Sequence, residues 1–272
     1  MSATHKQPPA VLSIAGSDSG GGAGIQADLK AFAACGVHGM TAITAITAQS
    51  TVGVDAIAAV APELIVAQVR AVQRDIGVDA VKIGMLGTAE TIEAVGRALD
   101  ELDPDTPIVL DPVMVAESGA RLLDADARGA LVEHLLPRVT VATPNLPEAA
   151  VLASVETTDA TVLARAVHAL GVRCVVVTGG HRETASDVFY DGERLVEIPG
   201  ERFPDGAAHG SGCTHSSVLA AQLALGRDPL AAARVARAYA GRAVRDGLRE
   251  IGRGAGPVDV LAIRSHVAGG RS

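Results

Sequence analysis

The chain reads His209-Gly210-Ser211-Gly212-Cys213-Thr214-His215-Ser216-Ser217 immediately before an apolar run from Val218 to Leu225. This pattern predicts a loop that leads into a helix and places backbone N–H groups at the helix N-terminus. Such an end has unpaired donors and the positive pole of the helix dipole, so it binds anions. Gly210 and Gly212 would let the backbone approach a ligand closely. The plainer interpretation is a glycine-rich helix cap.

Cys213 falls close to the predicted start of this helix. A thiol at such a position has a lowered pKa, which predicts a nucleophile or a base; the alternative is a buried, unreactive cysteine. The other cysteines, Cys35 and Cys174, are far away in the chain. The three show neither metal-ligand spacing nor a disulfide framework, which fits a reducing compartment.

Composition limits the classes of function. Of 272 residues, 48% are hydrophobic and only 2% are aromatic, so the predicted core is aliphatic. The net charge of −8 argues against a nucleic-acid or membrane-surface partner, although backbone N–H groups can still bind a small anion. We find no apolar signal core and no run long enough for a membrane span, and we expect a cytoplasmic protein. Residues 1–9 are predicted to be flexible, and residues 10–272 to form a single domain.

Predicted strands alternate with predicted helices along almost the whole chain. This alternation predicts an α/β fold, a three-layer α/β/α sandwich with a mostly parallel central sheet. We predict strands at 10–15, 40–48, 78–85, 107–110, 139–142 and 174–177, and a hairpin over 187–198 that turns at Asp191-Gly192. We predict helices at 26–34, 62–75, 88–102, 128–136, 161–170, 214–225 and 229–247, one that starts near Pro147, and a short last one.

Polar residues follow several of the predicted strands. Ligands of open α/β sheets bind beyond the carboxyl ends of the strands, so we expect these residues to meet there: Gln49, Met85, Asp111, Asn145, Glu148, Gly179, Gly180 and the loop at Gly210. The turn over residues 16–24 is rich in glycine, but it lacks the Lys-Ser/Thr of a Walker A loop and the G-x-G-x-x-G spacing.

Two acidic residues are candidates for holding a metal. Asp111 follows a predicted strand, and Glu148 lies three residues after Asn145 at a predicted helix start. Carboxylates are the hard oxygen ligands that Mg²⁺ prefers, here through water. The alternatives are an Asp-Pro turn and a charge that complements the helix dipole. For His209 and His215, packing or hydrogen bonding is the favoured interpretation over direct chemistry.

Six blocks of the sequence, which follow one another in the order typical of the family, resemble the ribokinase-like superfamily. Within it they resemble the hydroxymethylpyrimidine/phosphomethylpyrimidine kinases of thiamine biosynthesis. They are residues 14–30 (IAGSDSGGGAGIQADLK), 44–49 (TAITAQ), 81–86 (VKIGML), 109–115 (VLDPVMV), 143–148 (TPNLPE) and 209–214 (HGSGCT). Each block alone is a weak signal, but the combination is specific.

The resemblance implies a kinase that uses ATP and Mg²⁺. Its substrate would be 4-amino-5-hydroxymethyl-2-methylpyrimidine and then the monophosphate, which it would convert to the diphosphate. It implies catalytic roles for Cys213, Gly210 and Gly212, with Asp in place of Cys213 in most superfamily members. It further implies substrate contacts at Gln49, Gly16, Asp28, Met85 and Val113, nucleotide or phosphate contacts at Asn145, Thr178, Gly180 and Ser211, Mg²⁺ near Asp111 and Glu148, and a homodimer.

The chain also departs from the family pattern. Glu117 and Thr178 stand where many relatives have Lys, Ala207-Ala208 replace a common Asn-Thr, and Ser211 replaces the usual Thr. These departures affect the expected phosphate affinity and the second phosphorylation.

Two other functions are consistent with parts of the sequence. A pyridoxal or pyridoxine kinase could carry the same cysteine loop. A binding regulator that kept the fold and lost turnover is the second alternative, and the intact loop with Asp111 and Glu148 argues against it.

Overall fold

The computed structural model describes residues 7–124, 126–179, 185–204 and 206–269. One sheet contains nine strands: β1 (Ala10–Asp18), β2 (His38–Gln49), β3 (Val54–Ala59), β4 (Ala80–Ile83), β5 (Ile108–Leu110), β6 (Val141–Ala142), β7 (Cys174–Val177), β8 (Asp187–Tyr190) and β9 (Leu195–Ile198). Their order across the sheet is β3-β2-β1-β4-β5-β6-β7-β8-β9. The six strands from β2 to β7 in this order are parallel, and β3, β8 and β9 join antiparallel. The predicted, mostly parallel sheet is confirmed.

The helices are α1 (Gly24–Ala34), α2 (Pro62–Asp75), α3 (Ala89–Leu99), α4 (Ala127–Ala130), α5 (Leu146–Ala153), α6 (Ala160–His168), α7 (Ser211–Ala224), α8 (Pro229–Arg245) and α9 (Ile263–Gly269). Local chemistry explains several starts. Pro62 opens α2, and Thr88 caps α3 by accepting the Thr91 N–H. Asp159 and Asp228 cap α6 and α8 in the same way. Within the described residues, every helix is too short or too polar to span a bilayer.

Helices cover both faces of the sheet, which completes the three layers. Alternate strand residues point to opposite faces: Leu12 packs with α2 and α3 on one side, and Val11 packs with α1, α7 and α8 on the other. Both cores are aliphatic apart from a few rings, Phe32, Phe189 and Tyr190 among them. This packing places the N-terminus of α7 at the carboxyl ends of the parallel strands.

Three local predictions were wrong. Strand β3 was missed because its residues, half of them alanine, are mostly exposed at the sheet edge and show no buried alternation. The predicted helix at 128–136 is only one α-helical turn, followed by a π-helical turn (Leu131–Leu135) and a 3₁₀ turn (Leu136–Arg138) that contains Pro137. Helix α7 begins at Ser211, three residues earlier than predicted.

Candidate active site

A cavity of about 400 Å³ lies at the carboxyl ends of the parallel strands. The structure brings nearly all of the predicted site residues into its wall: Gly16, Gln49, Met85, Asp111, Val113, Asn145, Glu148, Thr178, Gly210, Ser211, Gly212 and Cys213. Gly180 lies outside the described residues. Asp28 does not line the cavity and is discussed below. A volume of this size suits a small organic ligand.

The loop before α7 delivers free backbone donors to the cavity. Gly210 is the N-cap with φ of +85°, a conformation that favours glycine. A Cβ at Gly210 would also overlap the carbonyl oxygen of Gly22. Among the described residues, the Ser211 N–H is bonded to the Ala208 carbonyl, whereas no hydrogen bond uses the N–H of Gly212 or Cys213. These two amides, at the positive end of the helix, are a candidate anion site.

The glycine-rich turn at 16–24 is organised by the carboxylate of Asp18. It accepts hydrogen bonds from the amides of Gly20, Gly22 and Ala23 at 2.8–3.0 Å. His209 Nε2 lies 3.1 Å from Asp18 Oδ2 and joins this turn to the loop before α7. Burial alone would raise the pKa of Asp18, but the hydrogen bonds from His209 and the amides outweigh burial and lower it. His209 therefore has the hydrogen-bonding role that the sequence favoured.

Asp28, expected in the substrate pocket, lies behind the cavity wall instead. Its carboxylate is fully buried and accepts hydrogen bonds from Ser13 Oγ (2.6 Å), Ser217 Oγ (2.7 Å) and Lys82 Nζ (2.8 Å). Burial disfavours the Lys82 ammonium, but Asp28, Cys213 and Asp111 outweigh burial and raise its pKa. Lys82 lines the cavity. The sequence analysis missed it because a lysine inside an apolar strand carries no signal for its distant partner.

Asp111 and Glu148 form a pair of buried carboxylates at the cavity. Asn145 and Glu148 make a capping box at the start of α5: the Asn145 N–H donates to Glu148 Oε2, and the Glu148 N–H donates to Asn145 Oδ1, both at 2.9 Å. Burial and the charge of Asp111 raise the pKa of Glu148 to about 8. Burial also raises the pKa of Asp111, which accepts a hydrogen bond from Ser216 Oγ at 3.1 Å.

These two carboxylates could hold a divalent cation through water. A cation would favour the ionised form of both carboxylates, which burial disfavours, so the donor set fits Mg²⁺. Among the described residues, no group of three or more His, Cys, Asp and Glu side chains is arranged as a direct ligand set.

The structure corrects the expected ionisation of Cys213. Cys213 is the third residue of α7 and half-buried in the cavity wall. Burial, followed by the nearby carboxylates of Asp28 and Asp111, raises the pKa of the thiol to about 12, although Lys82 and the Gly24 amide act in the opposite direction. The helix N-terminus therefore does not make Cys213 a thiolate in the free protein.

One end of the cavity combines an amide with apolar side chains. Gln49 ends β2, and its Oε1 accepts a hydrogen bond from Thr47 Oγ1 at 3.2 Å. Met85 lies over Gly16, where a Cβ would come within 2.9 Å of Met85 Cε, and Thr44 Oγ1 holds the Met85 carbonyl at 2.8 Å. Gly16, Met85 and Val113 thus offer an apolar wall beside an amide that can both donate and accept.

The opposite end is formed by a segment that the sequence analysis did not single out. It consists of Phe203, Pro204 and one face of α8 with Ala240, Gly241 and Val244. Phe203 is an aromatic side chain in a chain with only three Phe. The sequence signal that could have indicated this segment was a rare aromatic residue, Phe203, beside Pro204 and shortly before the loop at Gly210.

Most of the residues that depart from the family pattern also lie at the cavity. Glu117 is exposed at its edge, while Thr178 and Ala208 line it. Ala207 is buried against Gly247, where a Cβ would come within 2.6 Å of the Ala207 Cβ. His215, one turn into α7, is buried, and its Nε2 lies 3.1 Å from Asp187 Oδ2 without hydrogen-bond geometry.

Comparisons with known proteins identify the family of this chain. The family model for phosphomethylpyrimidine kinase matches residues 18–259. A hydroxymethylpyrimidine/phosphomethylpyrimidine kinase from Rhizobium meliloti is 49% identical, over 91% of this chain and 95% of the relative. A pyridoxal kinase from Staphylococcus aureus in complex with ADP superposes with a TM-score of 0.86 at 33% identity, over 94% of this chain and 95% of the other. A phosphomethylpyrimidine kinase from Clostridium difficile superposes with a TM-score of 0.75 at 37% identity, over 85% of this chain and 97% of the other.

The expected ribokinase-like fold is thereby confirmed. With nine-tenths of its length aligned to a curated member and the anion site, carboxylate pair and amide pocket in place, the chain belongs to the phosphomethylpyrimidine kinase family.

Proposed function

We propose that this protein transfers the γ-phosphoryl group of ATP to the hydroxymethyl oxygen of 4-amino-5-hydroxymethyl-2-methylpyrimidine, and then to the monophosphate, as a step of thiamine biosynthesis. The observation that carries the proposal is the cavity itself. An amide pocket at one end and an apolar slot at the other flank a helix N-terminus with two free amides. An acceptor, a nucleotide and the phosphate between them therefore each have a matching surface.

We assign the pyrimidine to the end formed by Gln49, Gly16, Met85 and Val113. An aminopyrimidine edge both donates and accepts hydrogen bonds, as an amide does. The planar ring would pack against the apolar wall. Asp28 supports this end from behind through its ion pair with Lys82.

We assign the nucleotide to the other end. The base would lie against Phe203 and the apolar face of α8, and the phosphates would extend past Asn145, Thr178 and Ser211 toward the N-terminus of α7. Asp111 and Glu148 would hold Mg²⁺ through water. When bound, the ion neutralises charge on the phosphates.

In the first step, the substrate oxygen attacks the γ-phosphorus, the bond from that phosphorus to the β–γ bridging oxygen breaks, and ADP leaves. The amides of Gly212 and Cys213 stabilise the charge on the transferring group. Cys213 accepts the proton of the attacking hydroxyl, and it must be a thiolate to do so. Because such transition states are loose, positioning and charge stabilisation supply most of the catalysis.

Product identification by mass spectrometry tests this function. With ATP, Mg²⁺ and the free pyrimidine, we expect a doubly phosphorylated product and two ADP per pyrimidine. Formation of the monophosphate alone would refute the second step, and the absence of pyrimidine-dependent ADP release would refute the kinase reaction.

Pyridoxal is the second candidate substrate, favoured by the likeness to a solved pyridoxal kinase. Parallel assays with pyridoxal and the pyrimidine decide between the two. A higher kcat/KM for pyridoxal would overturn the assignment of the substrate. Gel filtration with light scattering tests the expected homodimer, and fractionation of cells tests the expected cytoplasmic location.

A further inference from the structure

Arg237, on α8, is a buried cation of the cavity wall with unused hydrogen-bond donors. Its side chain is 11% exposed, and its Nε is buried without a hydrogen-bond partner. Nη2 makes one long hydrogen bond, 3.4 Å, to the Glu201 carbonyl. A guanidinium has five N–H donors, so among the described residues most of this group's donors are uncommitted.

The fold holds this guanidinium in place. A Cβ at Gly200 would overlap its Nε, Cζ and Nη2, so the group lies directly against the backbone that follows β9. Asp187, the first residue of β8, lies 3.8 Å from Nε and neutralises part of the charge without a hydrogen bond. Asp187 itself accepts the Gly179 N–H at 2.8 Å. Helix α8, strand β8 and Gly200 thus fix the position of Arg237.

The other described lysine and arginine of the cavity wall are held differently. Lys82 already donates to both oxygens of Asp28. Arg202 is exposed. Thr178, at the end of β7, is neutral, and the carboxylates of Asp111, Glu148 and Asp187 add negative charge to the same wall. A nucleotide bound here would bring several more negative charges, which need a positive partner.

We propose that Arg237 binds phosphate oxygens of the nucleotide in this half of the cavity. This inference rests on the proposed function and adds a residue to it. The planar fork of a guanidinium matches two phosphate oxygens, and its Nη atoms would make the contacts. Arg237 thereby supplies the charge that Thr178 does not.

Calorimetric binding of adenosine, AMP, ADP and ATP to Arg237→Met tests this role. We expect about tenfold or greater loss of affinity for ADP and ATP, and little change for adenosine, because one charge-assisted contact is removed. Arg237→Lys should recover part of the loss. Gly200→Ala should reproduce part of it without removing any charge, because the added methyl displaces the guanidinium. Arg234→Met, an exposed arginine one turn earlier on α8, is the matched control.

Removing Arg237 takes a neighbouring cation away from Asp187, so the double variant Asp187→Asn/Arg237→Met is needed. If its affinity for ATP stays low, the lost cation is the cause. If its affinity returns to the wild-type value, or if Arg237→Met weakens adenosine as much as ATP, the inference is wrong. Binding is measured without turnover, so a failed kinase reaction in the wild type would refute the proposed function separately. Thermal unfolding of each ligand-free variant identifies any that fail to fold.

Discussion

His209 Nε2 and Asp18 Oδ2 lie 3.1 Å apart, although 191 positions separate the two residues in the chain. This contact joins the two glycine-rich segments that form one side of the cavity. Asp18 also orders its own turn through three amides. A single carboxylate therefore positions both segments.

Asp18→Asn should destabilise the protein by about 1–3 kcal/mol, because hydrogen bonds to a charged, buried acceptor are weakened. Urea unfolding measures this, and KM for both substrates should rise. Folding lowers the pKa of Asp18, so its contribution is present above the unfolded pKa of about 4 and is lost as pH falls through the folded pKa. The difference from wild type should therefore shrink in acid.

Asp191→Asn is the matched control for Asp18→Asn. Asp191 accepts the amides of Glu193 and Arg194 in the hairpin turn and does not line the cavity. We expect it to leave both KM values unchanged. A rise in KM as large as that of Asp18→Asn would contradict a local role for Asp18.

Gly210→Ala and Gly212→Ala should separate folding from catalysis. At Gly210 the φ of +85° and the overlap with Gly22 predict a poorly folded variant. At Gly212 the nearest atom to an added Cβ is Asp111 Oδ2 at 3.7 Å, so there is room. Gly212→Ala should fold at least as stably as wild type and lose turnover, because the methyl enters the cavity. Full activity in Gly212→Ala would argue against a phosphate beside this amide.

Cys213→Ala should bind the pyrimidine but lose most of the first phosphorylation. The second acceptor is a phosphate oxygen, which is largely ionised near neutral pH and needs no base. The second phosphorylation should therefore lose less of its rate than the first. With a thiol pKa of about 12, the thiolate fraction and kcat of the first step should rise about tenfold per pH unit between pH 6 and 9.

Cys213→Asp provides the comparison. A carboxyl titrates several pH units below this thiol, so its rate profile should level off at lower pH. A flat profile in the wild type, or equal losses of both steps in Cys213→Ala, would remove the assignment of Cys213 as the base.

Lys82→Met and Asp28→Asn should each cost about 3–5 kcal/mol of stability, because each leaves a buried partner uncompensated. The double variant should cost less than the sum of the two, as measured by urea unfolding. Arg97→Met breaks an exposed ion pair with Glu63 and should cost at most about 1 kcal/mol. Additive losses at Lys82 and Asp28 would contradict a strong pair.

Gln49→Ala should weaken binding of the pyrimidine more than binding of ATP, because it deletes a hydrogen-bonding partner at one end of the cavity only. Calorimetry with each ligand separately measures both constants. Equal losses for the two ligands would place Gln49 outside the pyrimidine pocket.

Much of the fold could be predicted because local signals agree with the tertiary packing. Helix α2 begins at Pro62 and ends at Asp75 as expected, and β7 matches its predicted bounds, Cys174–Val177. Strand β3 could not be found because edge position, and not composition, makes its residues a strand.

The site was predicted where residues follow strand ends or interrupt the chain with glycine. The spacing of Asn145 and Glu148 supported two interpretations, a carboxylate near a metal ion and a charge at a helix start. In the structure the two residues cap α5, and the carboxylate of Glu148 also lines the cavity. The partners of Asp28, Asp18 and Arg237 come from distant elements, so only packing reveals them. The pKa of Cys213 was mispredicted because burial raises it more than Lys82 and the Gly24 amide lower it.

The close contact between Gly210 and the Gly22 carbonyl also has a consequence for folding during synthesis. The two segments that form this side of the cavity come from the first tenth of the chain and from its last quarter. A nascent polypeptide therefore cannot assemble a working site until synthesis is nearly finished. Contacts of such long sequence separation slow folding. A ligand of the cavity would therefore stabilise the protein only at the end of folding, when both segments are in place.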